Sequence, residues 1–134
     1  MSIEEFDTNS VKEYWLTEAE EALQVADHLV EKRDYSYALF FGHLAIEKLL
    51  KALYAAKMQK HAPPIHNLLR LAKKAGLSLD EPHTKALIAI TTFNIEARYP
   101  DMKRAFRRQC TPEYTARQMT SIKELFQWLK SLMP

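Results

Sequence analysis

Apolar residues between Val11 and Lys32 recur at helical intervals: Trp15, Ala19, Ala22, Ala26 and Leu29 form one stripe, with Leu16, Leu23 and Val30 beside it. Ser10 followed three residues later by Glu13 has the form of a capping box, which ties up two amides that a helix start leaves without partners. A second and more apolar helix is predicted from Tyr35 to Lys60. At about 100° per residue, Phe41, Ala45, Ala52, Leu49, Gly42, Leu53, Ile46, Leu39 and Leu50 share one wide arc. The opposite arc holds His43, Tyr54, Glu47, Lys51 and Lys48, but also Phe40 and Leu44. Two large apolar residues among charges predict that a second surface, in this chain or another, covers them.

Pro63 and Pro64 end that pattern, since proline cannot continue a helix and restricts the residue before it. A short helix is expected over about residues 66–75, with Leu68, Leu71, Ala72 and Ala75 on its apolar face and Gly76 as a left-handed cap. Asp80 caps a fourth helix with Pro82 in its first turn; its stripe of Ala86, Leu87, Ile90, Thr91 and Ile95 is expected to run on to Pro100. Thr111 and Pro112 open a fifth, in which Met119, Ile122, Phe126, Leu129 and Met133 recur at threes and fours. Four long helices and one short one make a helical bundle. Residues 1–134 read as a single domain, with Met1–Asn9 expected to fray.

Composition agrees with this pattern. Only two glycines occur in 134 residues, too few for a sheet with many tight turns. No basic-then-apolar leader is visible, and no run reaches the roughly 18–20 apolar residues that span a bilayer, so a soluble, cytoplasmic protein is expected. The lone Cys110 has no partner for an internal disulfide, which suits a reducing compartment. Charge is unevenly spread: residues 1–34 carry ten acids against Lys12, Lys32 and Arg33, whereas residues 35–134 carry sixteen Lys/Arg against seven acids. Either the basic body attracts a polyanion or acidic partner, or the acidic helix packs beside it and the fields cancel.

Candidate chemistry is sparse. His43 and Glu47, at i and i+4, supply two metal ligands where a site needs three or four, and His61 and His66 around the prolines have no acids or thiols nearby. No metal site is therefore expected. Phosphate-binding and dinucleotide glycine fingerprints are absent, and no cofactor is expected. Glu47 is expected to pair with Lys51 one turn on. Residues 98–123 stand out, with seven Lys/Arg against Asp101 and Glu113, and with Tyr99, Phe106 and Tyr114 nearby. Guanidinium groups fork onto phosphates and aromatic rings stack bases, so this run is a candidate for phosphate or nucleic acid; a solvated connection between helices is the alternative.

Three separated blocks, "YALFFGHLAIEKLLKALY", "PPIHNLLRLAKKAGL" and "IEARYPD", closely resemble, in this order and spacing, the HEPN family (higher eukaryotes and prokaryotes nucleotide-binding domain) in its small stand-alone prokaryotic form. The resemblance covers roughly residues 12–130. It implies an all-α, antiparallel up-and-down four-helix bundle with an additional short helix, commonly a homodimer, and often a minimal nucleotidyltransferase as partner. Dimerisation would account for Phe40 and Leu44 as an interface. Ribonucleases of the family carry an arginine, a polar residue and a following histidine. Arg98 matches the arginine, but Tyr99 follows it and no histidine occurs after it. Metal-independent RNA cleavage needs a group that moves a proton near neutral pH, which imidazole does and guanidinium does not.

The expectation from sequence is therefore a non-catalytic module that binds nucleotide or nucleic-acid phosphate around Arg98, Asp101 and Lys103. Arg98 would hold phosphate, Asp101 would orient Arg98 or accept a ribose hydroxyl, and Lys48 and Lys51 would extend the positive surface. The competing readings are a toxin-like endoribonuclease that joins Arg98 to a histidine from elsewhere, and an assembly protein without a ligand.

Overall fold

A computed structural model of the chain describes residues 6–134. The described residues form six α-helices and no strand: α1 (Thr8–Glu31), α2 (Tyr35–Met58), α3 (Leu68–Lys74), α4 (Glu81–Thr91), α5 (Pro100–Gln109) and α6 (Pro112–Ser131), with a 3₁₀ turn (Ile95–Ala97) between α4 and α5. None is long and apolar enough to cross a membrane.

The helix that is most apolar in sequence is the central one. Every other element touches α2, so it needs apolar residues on nearly all sides, and Leu39, Ile46, Leu49, Leu50 and Leu53 are fully buried. α1 folds back along it after a short turn and offers the small side chains of Ala19, Ala22 and Ala26, which let the two backbones approach closely. On α6, Ile122, Leu125, Phe126 and Leu129 complete the core. Gly42 gives Ile122 its seat, because a Cβ there would stand 2.5 Å from Ile122 Cδ1.

Most helix ends fall where the chain signals them. Asp80 accepts the amide of His83, Thr111 accepts that of Tyr114, and Gly76 takes φ 76° after α3. At α1 the expected cap is displaced: Asp7, not Ser10, caps the helix and accepts from Ser10 N at 3.0 Å. Residues 6–9 accordingly form the cap and first turn of α1, and the Phe6 ring meets His61 edge-on at 4.9 Å. Residues 1–5 of the segment expected to fray lie outside the described residues.

The largest departure lies between residues 91 and 109. α4 stops at Thr91, about nine residues before Pro100. Thr91 turns its hydroxyl back to Leu87 O at 2.8 Å and accepts Leu68 N at 3.1 Å, a side-chain alternative to helix bonding that weakens continuation. Phe93 then folds inward, leaving only 1% of its surface exposed. Within the basic run, for which a solvated connection between helices is the alternative to a phosphate contact, residues Pro100–Gln109 form the separate helix α5. Pro100 occupies the first helical turn, Asp101 lies at the positive end and Arg107 and Arg108 at the negative end, so proline and macrodipole both favour helix here.

Candidate phosphate-contacting surface

Only Phe106 of α5 is buried; its ring packs against Phe93 with centroids 5.6 Å apart. On a helical wheel Lys103, Arg107, Arg104 and Arg108 follow one another over an arc of about 140° beside Phe106. Among the described residues none of these four, nor Arg98 or Arg117, has a carboxylate within 4.0 Å. The helix therefore presents a band of unneutralised cations.

Arg98 stands just before this band. Its Nη2 donates to the Thr92 carbonyl oxygen, and its guanidinium carbon lies 5.6 Å from the centroid of the Phe106 ring. The group is half-exposed and held from two sides, with other N–H donors to spare. Asp101, expected to orient Arg98 or accept a ribose hydroxyl, makes no ion pair with it within 4.0 Å, and the contacts that hold Arg98 come from Thr92 and Phe106. Asp101 is exposed in the first turn of α5, and Lys103 is half-buried. Tyr99, 77% exposed, is open to stacking; Phe106 is enclosed in the core. Burial raises the Tyr114 phenol above its usual range, opposed in part by Arg117 and Arg98, so Tyr114 feels the same positive field.

Lys48 and Lys51 differ. Lys48 meets Glu18 of α1 at 3.5 Å, and Lys51 meets Glu47 at 3.4 Å while its ammonium lies 4.9 Å from the centroid of a Trp15 ring. The pairing of Glu47 with Lys51 follows the i, i+4 expectation. Both lysines pair with an acid, and both lie on α2 rather than on α5.

The charged arc of α2 is not a wet face. Glu47 is 4% exposed and also accepts from His66 Nδ1 at 2.9 Å, while His43 is fully buried, with Nε2 3.3 Å from the His66 carbonyl oxygen. Burial lowers the pKa of His43 below its usual range, although Glu47 and the bond to His66 pull the other way. The segment around residues 61–67 thus covers part of this arc. Phe40 and Leu44 remain only partly buried; with His43, His66, Asn94 and Glu96 they line a cleft of about 270 Å³ beside the 3₁₀ turn. Sequence missed the tie from His66 to Glu47 because it joins residues nineteen apart across a proline turn. Among the described residues no group of three or more His, Cys, Asp and Glu is arranged to hold a metal ion.

A six-helix domain built around one apolar helix, with an arginine clamped at the entry to a cationic helix, defines the class. The HEPN domain family matches residues 12–132, and the chain belongs to that family, a nucleotide- and RNA-related class of module. The crystal structure of TT1696 from Thermus thermophilus is similar in fold, with a TM-score of 0.76 and 22% identity over 90% of this chain and 96% of that one. Comparison with curated protein sequences gives no significant match.

Proposed function

We propose that the protein is a phosphate-binding HEPN module that takes nucleotide or RNA on the surface formed by Arg98, Asp101, Lys103 and the exposed arginines of α5. The observation that carries this reading is the contrast in pairing: among the described residues the cations of α5 have no carboxylate within 4.0 Å, whereas Lys48 and Lys51 do. Unneutralised guanidiniums on one helix face suit a backbone of phosphates, with Tyr99 free to stack a base and Asp101 to accept a ribose hydroxyl. The module works as a homodimer through the half-buried Phe40 and Leu44, and with a nucleotidyltransferase as partner. Retention of labelled single-stranded RNA, compared between wild type and an Arg98→Glu variant, tests the site; equal retention removes it. Light scattering on a Phe40→Ser/Leu44→Ser double variant tests the interface, since an unchanged dimer excludes that surface.

The Glu47–His66 pair supports a second reading, cleavage of the bound RNA. A His66 ring that donates Nδ1–H to a buried carboxylate leaves Nε2 as a free base, and this side chain is 65% exposed. His66 would take the proton of a ribose 2′-hydroxyl while that oxygen attacks the adjacent phosphorus; the 5′-oxygen leaves and is protonated by water. Fragments formed in EDTA by wild type but not by His66→Gln would establish cleavage. Intact RNA from both leaves the binding module.

A further inference from the structure

We infer that the open groove against α3 is a docking surface for a partner protein, and that the segment it takes is an acidic amphipathic helix with an apolar anchor. Residues 48–79 hold seven Lys/Arg and no Asp or Glu. Lys48 and Lys51 take Glu18 and Glu47, which lie outside that range. The other five, Lys57, Lys60, Arg70, Lys73 and Lys74, are exposed, and among the described residues none has a carboxylate within 4.0 Å. The fold brings no described acid to them, so the charge that complements this patch lies on another molecule.

The patch does not continue the band on α5. The start of α2 shares a cavity with Arg107 of α5, whereas its last residue, Met58, reaches the end of α3: a Cβ on Gly76 would stand 3.3 Å from Met58 Cε. At about 1.5 Å per residue, the two ends of α2 lie roughly 35 Å apart.

Chemistry separates the two surfaces further. The groove measures about 430 Å³ and is lined by Asn67, Leu69, Arg70, Lys73 and Lys74. It has no aromatic ring to stack a base, and two of its three cations are lysines, point charges that do not fork onto phosphate. Its apolar lining is aliphatic, from half-buried Leu69 and the methylene stems of the three cations. Met58, 39% exposed at the same end of the bundle, adds an adaptable apolar side chain. Aliphatic surface rimmed by cations suits a helix laid in the groove, with an apolar residue on Leu69 and flanking carboxylates on Arg70, Lys73 and Lys74.

The proposal deepens the reading of the module as one with a protein partner, and uses nothing of the RNA surface on α5. The probe is a fluorescein-labelled peptide of about fifteen residues, long enough to hold a helix, with glutamates on one face and leucines at i, i+4 and i+7 on the other. A control peptide keeps the glutamates and has glutamine for leucine. The full chain should bind the leucine peptide saturably and about tenfold tighter than the control, with amide shifts centred on residues 67–76. Lys73→Gln with Lys74→Gln should weaken it about tenfold at a nearly unchanged thermal midpoint, while Arg98→Glu leaves it unchanged. No saturation, equal binding of the two peptides, shifts centred elsewhere, or full affinity in the lysine double variant overturns the surface. Single-stranded RNA that displaces the peptide and shifts the same amides overturns its assignment to a protein. The probe contains no enzyme, so the surface stands or falls apart from the assignment of a nucleotidyltransferase as partner.

Discussion

Lysines on α2 and arginines on α5 are the same kind of residue put to opposite uses. On α2 the cations arrive with partners: Lys48 finds Glu18, and Lys51 shares the buried Glu47 with His66. Their charge is absorbed in joining α2 to its neighbours. On α5, whose one acid is Asp101, no cation has a carboxylate within 4.0 Å among the described residues, and the arginines are left exposed. A basic residue marks a candidate ligand site only when the fold denies it a carboxylate, which a count of charges along a chain does not reveal. The two regions should consequently answer mutation in opposite ways, α2 through stability and α5 through binding.

The heaviest loss is expected where α6 meets α2. Truncating the nearly fully buried Phe126 to Ala leaves a cavity and should lower unfolding free energy by about 3–5 kcal/mol, read by chemical denaturation. Next comes Glu47→Gln, which removes the charge that Lys51 and His66 share; a cost of about 1–3 kcal/mol is expected, because Glu47 and Lys51 are mostly buried while the exposed His66 can rehydrate. A neutral result would mean that the α2 pairs are as dispensable as surface pairs, and the contrast would collapse.

His43 gives a smaller, pH-dependent effect. Its pKa is lowered in the fold, chiefly by burial, so at acidic pH the unfolded chain binds a proton that the folded chain refuses. Stability is full above the ordinary histidine range near pH 6.5 and should decline as pH falls below it, until the folded ring itself protonates. A thermal midpoint compared at successive pH values should show this decline in wild type and a shallower one in His43→Gln.

On α5 the expected stability change is the smallest. Arg104→Gln with Arg108→Gln, both exposed, should alter unfolding free energy by no more than about 0.5 kcal/mol per site. The same pair should reduce the slope of log affinity for RNA against log salt by about one for each phosphate that is no longer neutralised. Cys110, just past the helix, should barely react: burial pushes its thiol up to about 11, so alkylation near pH 8 should be slow in the folded protein and fast after denaturation.

Local signals were legible wherever one short stretch decides the outcome. Asp80, Thr111, Gly76 and the apolar spacing of α2 and α6 mark helices that the fold contains. What could not be read depended on distant partners. α4 ends early because Thr91 finds Leu68 N, on a segment twenty-three residues away. Charge dominated the reading of residues 100–109 and hid the proline and dipole signals that make α5 a helix. Of the candidate site, Arg98 and Lys103 were visible as residue types. The clamp on Arg98 by Thr92 and Phe106, and the capture of Lys48 and Lys51 by acids, emerge only when the helices are assembled.

Retention of labelled single-stranded RNA on the purified protein, in EDTA and over a series of salt concentrations, tests the contrast most directly when wild type, Arg98→Ala and Lys48→Gln are run side by side. The account requires salt-sensitive retention by wild type, its loss in Arg98→Ala and its survival in Lys48→Gln. Retention that survives in Arg98→Ala but fails in Lys48→Gln, or no retention by any of the three, would contradict it.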